Sequence, residues 1–290
     1  MQNPQNKAPS KPITEAIEKV LKEGAIAALV TLIEASANLG SKLLVEESGL
    51  RVGSLGDREL DDALFRYAPN FLESHEEARA FSIREIAPEL ATRGDARVLF
   101  ERIQPEARIV ICGAGHVGAA LAKAASFIGY RATLIDDRAD FVTRERFPDE
   151  RIELVAAKTW TESVREAVGN GRGVSVAVVT RGHNEDEECM RAVITADADY
   201  VGLIGSKRRT NIVLERLREA GPSEEKLRKV RAPVGLDIGA VTPEEVALSI
   251  LAEIVADRRG GNGGSLSAWR RDNKPKKESW QVAEKDKSRQ

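Results

Sequence analysis

Cysteine is scarce: the 290 residues hold two, Cys112 and Cys189, and they are not in CxxC spacing. That argues against a disulfide framework or a cysteine-built zinc site and fits a reducing, cytoplasmic setting. Histidine occurs three times, with no HxH or HExxH, so no metal centre is expected. Aromatics are 4% of the chain, too few for a base-stacking surface. A formal net charge of −2 creates no field that would draw the chain to nucleic acid or a membrane. No apolar run is long enough to cross a bilayer, and no signal peptide is expected. A Walker A sequence, a nucleophile elbow and internal repeats are missing as well. The hydrophobic content is 42%, enough to core one large or two medium domains.

The most informative stretch is residues 108–138, RIVICGAGHVGAALAKAASFIGYRATLIDDR. A β-branched run leads into Gly113, Gly115 and Gly118 at GxGxxG spacing. A helical apolar pattern then runs over residues 117–128, and a second strand over 131–135 ends in Asp136 and Asp137. Gly113 permits a tight turn, Gly115 lets backbone approach a phosphate, and Gly118 lets helix pack on strand. The helix start offers free N–H groups and a positive dipole end to an anion, with His116 beside it. An acid closing the second strand holds a ribose hydroxyl in such units. Asp136 and Asp137 therefore favour NAD over NADP, although Arg138 stands next to them.

Before this unit, residues 13–104 read as a smaller α/β domain. It comprises a helix from Ile13, a strand at 25–33, a hairpin of 41–45 and 51–55, a helix at 57–67 and a strand at 96–103; residues 69–93 are mixed. After it, residues 105–258 continue as a Rossmann-like parallel-sheet domain. The run VSVAVVT at 174–180 suits a strand buried on both faces, a helix is read at 187–196, and Thr242-Pro243-Glu244-Glu245 is a helix start. Residues 1–12 and 259–290 read as disordered, with Trp269 and Trp280 as isolated apolar groups in the tail.

Three loops follow strand ends, where an open parallel sheet binds ligands. The first carries Gly113, Gly115, His116, Val117 and Gly118. The second carries Arg181, His183 and Asp186, with Asp186 placed to orient His183 towards a ligand oxygen. The third is Gly205-Ser206-Lys207-Arg208-Arg209, where a hydroxyl and cations meet a helix start. Cations there oppose the helix dipole, so an anion site is expected. Two functions remain open from the residues alone: a nucleotide-dependent oxidoreductase using His183 as acid or base, or a carrier of a phosphate-bearing cofactor.

GAGHVGAALAKAASFIGYRATLIDDR, VTRGHNEDEE, YVGLIGSKRR and RAPVGLDIGAVTPEEVALSILAEI together resemble the XdhC/CoxI family of xanthine dehydrogenase accessory proteins, over about residues 107–257. The resemblance implies a cytoplasmic maturation factor without turnover. Such a factor binds the molybdenum cofactor, a pterin carrying a phosphate. It guards the pterin while a cysteine desulfurase adds sulfur, then delivers it to a xanthine dehydrogenase-type apoenzyme. It also implies that the crevice lined by His116, His183 and Ser206–Arg209 holds that cofactor or a nucleotide such as NAD(P); a homodimer stays open. The N-terminal part departs from the family: residues 33–37 read IEASA where a GSSPR-type segment is usual. Residues 56–61 read GDRELD where a GGGC-x-E turn is usual, so a cysteine that could ligate molybdenum is missing.

Overall fold

A computed structural model describes residues 11–267 apart from Gly94, Asp95 and Asp197. The expected disorder at residues 1–10 and 268–290, including Trp269 and Trp280, lies outside the described residues. Two five-stranded sheets carry the fold. The first is antiparallel, in the order β3 (Arg51–Ser54), β2 (Lys42–Glu46), β1 (Ala27–Glu34), β5 (Arg97–Ile103), β4 (Ala78–Ser82). One face is covered by α1 (Lys11–Glu23) through Ile13 and Val20. The other is covered by α2 (Arg58–Glu73) through Ala63, Leu64, Ala68 and Phe71, and a short helix, α3 (Ile83–Ile86), follows β4. Phe100 is at the centre of this layer, its ring 5.2–5.6 Å from those of Tyr67, Phe71 and Phe81.

Two features of this part differ from the sequence reading. The second helix does not stop near Tyr67 but passes through Pro69 to Glu73. Proline removes one helix hydrogen bond, yet Pro69 is exposed, and buried Ala68 and Phe71 hold the last turn on the sheet. Strand β4 falls in the stretch read as mixed; it is an edge strand with only Phe81 fully buried, so it lacks a strong apolar alternation.

The second sheet is wholly parallel, in the order β10 (Tyr200–Leu203), β9 (Val174–Val178), β6 (Arg108–Cys112), β7 (Arg131–Asp136), β8 (Ile152–Ala156). This is the Rossmann order, with the chain reversing direction across the sheet between β6 and β9. On one face lie α4 (His116–Phe127) and α9 (Pro243–Arg259), packed through Leu121, Ala125, Ile250 and Ile254. On the other lie α5 (Trp160–Val168), α6 (His183–Val193) and α7 (Lys207–Glu219), through Val164, Met190 and Val213. A short helix, α8 (Glu224–Lys229), follows α7. Every residue of β9 is buried, as its β-branched run predicts. The capping box read at Thr242 is formed with Glu245, with Pro243 at the first turn. The sixth helix starts four residues earlier than the sequence reading, at His183, because Gly182 serves as its N-cap.

Polar contacts join the two sheets' layers. Asn170 donates to the Glu23 carbonyl, Arg172 pairs with Glu47, and Arg259 pairs with Glu77. Among the described residues no helix is long and apolar enough to cross a membrane.

Candidate functional site

The loops leaving β6, β9 and β10 meet at the carboxyl edge of the parallel sheet. Gly113 has φ +114°, and a Cβ on it would sit 2.6 Å from the Val179 carbonyl oxygen, so this loop is pressed onto the one after β9. A Cβ at Gly118 would collide with the Gly113 carbonyl oxygen. Both positions need glycine for packing alone. Gly115 differs: nothing lies within 4 Å of where its Cβ would be. No protein atom demands glycine there, and the backbone at this N-cap is open to close approach.

Helix α4 begins at Gly115 without a side-chain cap and with no acid in its first turn. Its leading N–H groups and dipole are therefore free to face an anion. His116 is exposed there, while the Val117 side chain packs into the core beside α9, so what Val117 offers a ligand is its N–H. Helix α7 begins at Ser206, whose hydroxyl accepts from Arg209 N; again the first turn has no acid. Lys207 and Arg208 are exposed and make no side-chain bond among the described residues. Helix α6 is less suited to an anion, because Glu185 and Asp186 already occupy its first turn.

The acids behave differently from the sequence reading. Asp186 does not orient His183. Its carboxylate is fully buried, accepting from Thr180 Oγ1 at 2.5 Å and from Arg209 Nε and Nη2 at 3.0 and 2.5 Å. His183 is exposed and makes no side-chain bond among the described residues. Arg209, read in the sequence as one of the anion-site cations, instead clamps α7 to α6 through Asp186, and its side chain lies against Gly205, which has φ +145°. Burial raises the Asp186 carboxyl above its ordinary value, opposed by its bonds to Thr180 and Arg209.

Asp136 is likewise buried, with 1% exposure. Its Oδ2 accepts from Ala114 N at 2.7 Å and Arg138 Nη2 at 2.9 Å. Its Oδ1 accepts from Arg138 N and Nε at 3.0 and 2.8 Å. Burial pushes this carboxyl up, but the Arg138 and Ala114 bonds outweigh it and hold it below the usual carboxylate range. Asp137 is held bidentately by Arg181, both contacts at 2.8 Å, and Arg181 also meets Glu185 at 3.2 Å. A ribose expected at these acids would compete with Arg138 and Ala114 for Asp136 and with Arg181 for Asp137. The arginine pairings span up to 44 residues and leave no local sequence signal; Arg138 beside the acids was the one visible hint.

The chain matches the model of the XdhC Rossmann domain over residues 109–254 and that of the XdhC and CoxI family over residues 20–83. It belongs to the XdhC and CoxI family. Within curated relatives it is 35% identical to the uncharacterized protein YqeB of Escherichia coli, over 55% of this chain and 29% of that one. It is 30% identical to a probable subunit of xanthine dehydrogenase from Bacillus subtilis, over 56% and 46%. It is 36% identical to the molybdenum cofactor insertion chaperone PaoD of Escherichia coli, over 26% and 24%. The chain thus spans less than half the length of each of these. A crystal structure of a xanthine dehydrogenase from Bacillus halodurans shares the fold, with TM-score 0.63 at 20% identity over 86% of this chain and 67% of that one.

The N-terminal departures from the family meet at one place. Ala35, Ser36, Ala37 and Asn38 line a cavity of about 120 Å³ together with Leu55, Asp57 and Leu60. Its wall is mainly small and apolar and contains no thiol. The described residues hold no cluster of three or more His, Cys, Asp or Glu side chains suited to a metal ion.

Proposed function

We propose that this chain is a maturation factor for a xanthine dehydrogenase-type molybdoenzyme, carrying the molybdenum cofactor rather than turning over a substrate. The observation that carries this reading is the pair of helix starts at Gly115 and Ser206, in a member of this family. Neither has an acid in its first turn, one is uncapped, and the other presents two unengaged cations among the described residues. A phosphate-bearing pterin suits that chemistry: phosphate oxygens accept from the N–H groups of the α4 first turn and from Lys207 and Arg208. Gly115 provides close backbone approach. The molybdenum, when present, supplies redox chemistry to the client enzyme and not to this protein. Because the N-terminal part lacks the family's thiol, the Rossmann crevice is the main holding surface here. A cysteine desulfurase adds sulfur to the held cofactor, and the apoenzyme accepts it afterwards.

The oxidoreductase alternative is less well supported, since His183 has no orienting partner among the described residues and the second-strand acids are engaged. Calorimetric titration of the full chain with isolated molybdenum cofactor tests the proposal. Tight binding is expected. Lys207→Ala combined with Arg208→Ala should weaken it about tenfold or more and flatten its dependence on salt, as loss of phosphate contacts does. Unchanged affinity and salt slope would remove the anion site from the reading.

A further inference from the structure

Beyond the end of β7, the buried acceptor is used up while arginine donors remain. A carboxylate offers about four lone-pair positions, and Asp136 receives four hydrogen bonds from Ala114 and Arg138. A ribose hydroxyl seeking that carboxylate would have to displace Arg138. Asp137 is occupied by both terminal nitrogens of Arg181. By contrast, Nη1 of Arg138 and Nε of Arg181 make no hydrogen bond among the described residues. The two side chains are 35% and 47% exposed. The plane of Arg138 is fixed on its other side by Phe141, whose ring centroid is 3.5 Å from the guanidinium carbon; Arg146 also packs over Phe141, at 4.8 Å.

We propose that this region of the crevice recognises a phosphomonoester in preference to a free ribose diol, with Arg138 as the specificity-determining residue. This deepens the cofactor-carrier reading and rests on it. Phosphate oxygens only accept, which matches the donors that Arg138 and Arg181 keep at this edge of the crevice. A diol must also donate, and its usual acceptor is saturated. An arginine near the second-strand end is also how Rossmann units accommodate a 2′-phosphate. Because Asp136 and Asp137 are neutralised in place, an incoming phosphate meets guanidinium edges instead of two bare carboxylates. The attraction is local and directional, not a field. Such a phosphomonoester has two sources, the terminal phosphate of a pterin and the 2′-phosphate of an NADP-type dinucleotide.

The test is calorimetric titration of the full chain with NADPH, NADH and 2′,5′-ADP, and with the molybdenum cofactor before and after phosphatase treatment. The expected result is at least about tenfold tighter binding of the phosphorylated member of a pair: NADPH over NADH, or intact over dephosphorylated cofactor. Whichever pair shows the preference identifies the source. Arg138→Ala should lower NADPH affinity and, by freeing Asp136, raise that of NADH; a residue that merely braced the loop would lower both. Arg138→Lys keeps a charge and should retain part of the preference. If Arg138→Ala does not fold, the wild-type comparison still decides. Equal affinities within both pairs, with the cofactor bound, would overturn this inference alone. No binding of any of these ligands would overturn it together with the carrier reading.

Discussion

The two sheets of this protein stabilise themselves with different materials. Around the antiparallel sheet, Asp61 is the one buried charged side chain among the described residues, and four aromatic rings meet at Phe100. The parallel sheet has no such aromatic cluster among the described residues. It buries Asp136 and Asp186 instead, together with Ser126, Thr133, Ser175, Thr180 and Thr210. Burying charge costs free energy unless it is paired and bonded. A fold that does so at the mouth of its own crevice, where the first sheet relies on apolar packing, is using those groups to fix loop geometry. The difference separates a supporting layer held by apolar packing from one whose loops are held by buried polar groups.

The sharpest way to break the contrast is to remove Arg209. Arg209→Ala leaves Asp186 buried without its cation, and the loss should be about 3–5 kcal/mol, read by urea unfolding. Adding Asp186→Asn should restore part of it, because the stranded charge is then gone. In the supporting layer, Phe100→Leu keeps most of the apolar volume but loses three ring contacts. The expected cost is about 2 kcal/mol, with cofactor affinity unchanged at protein concentrations where the variant is folded. A change in affinity there would mean the first sheet takes part in binding.

The smallest expected effect concerns acid. The folded-state carboxyl of Asp136 is held below its unfolded value, so its contribution to stability is present above about pH 4 and is lost as pH falls through the lowered value. Asp186 has the opposite sign. Its raised value means the protonated form suits the fold, so its contribution is lost as pH rises through the folded value. Thermal melting from about pH 7 to about pH 3 should therefore show a shallower acid decline for Asp136→Asn than for wild type. A steeper decline would put the charge balance of this loop in error.

Sequence alone carried the parallel sheet well. The β6–glycine–α4–β7 unit, the buried run of β9 and the Thr242 cap are local patterns with one physical solution each. It carried less of what lies between them. Strand β4 is an edge whose pattern is too weak to read, and α2 continues past Pro69 only because Phe71 is anchored from across the layer. Within the crevice, residue types and loops were legible but partners were not. Asp136 reads as a ribose ligand until Arg138 is seen wrapped around it, and Asp186 reads as a histidine partner until Arg209, 23 residues on, claims it.

Gly115 has one more consequence. Side-chain caps close the N-termini of α2, α5, α7, α8 and α9; α4 and α6 start on glycine without one, and of these two α6 has acids in its first turn. A cap of that kind contributes about 0.5–2 kcal/mol to a fold. An anion bound at α4 would supply this increment, so that its binding and folding would be thermodynamically linked. On the proposed carrier reading the laden protein is the sturdier one, and a cell that clears its less stable proteins first would tie the amount of such a carrier to its supply of cargo.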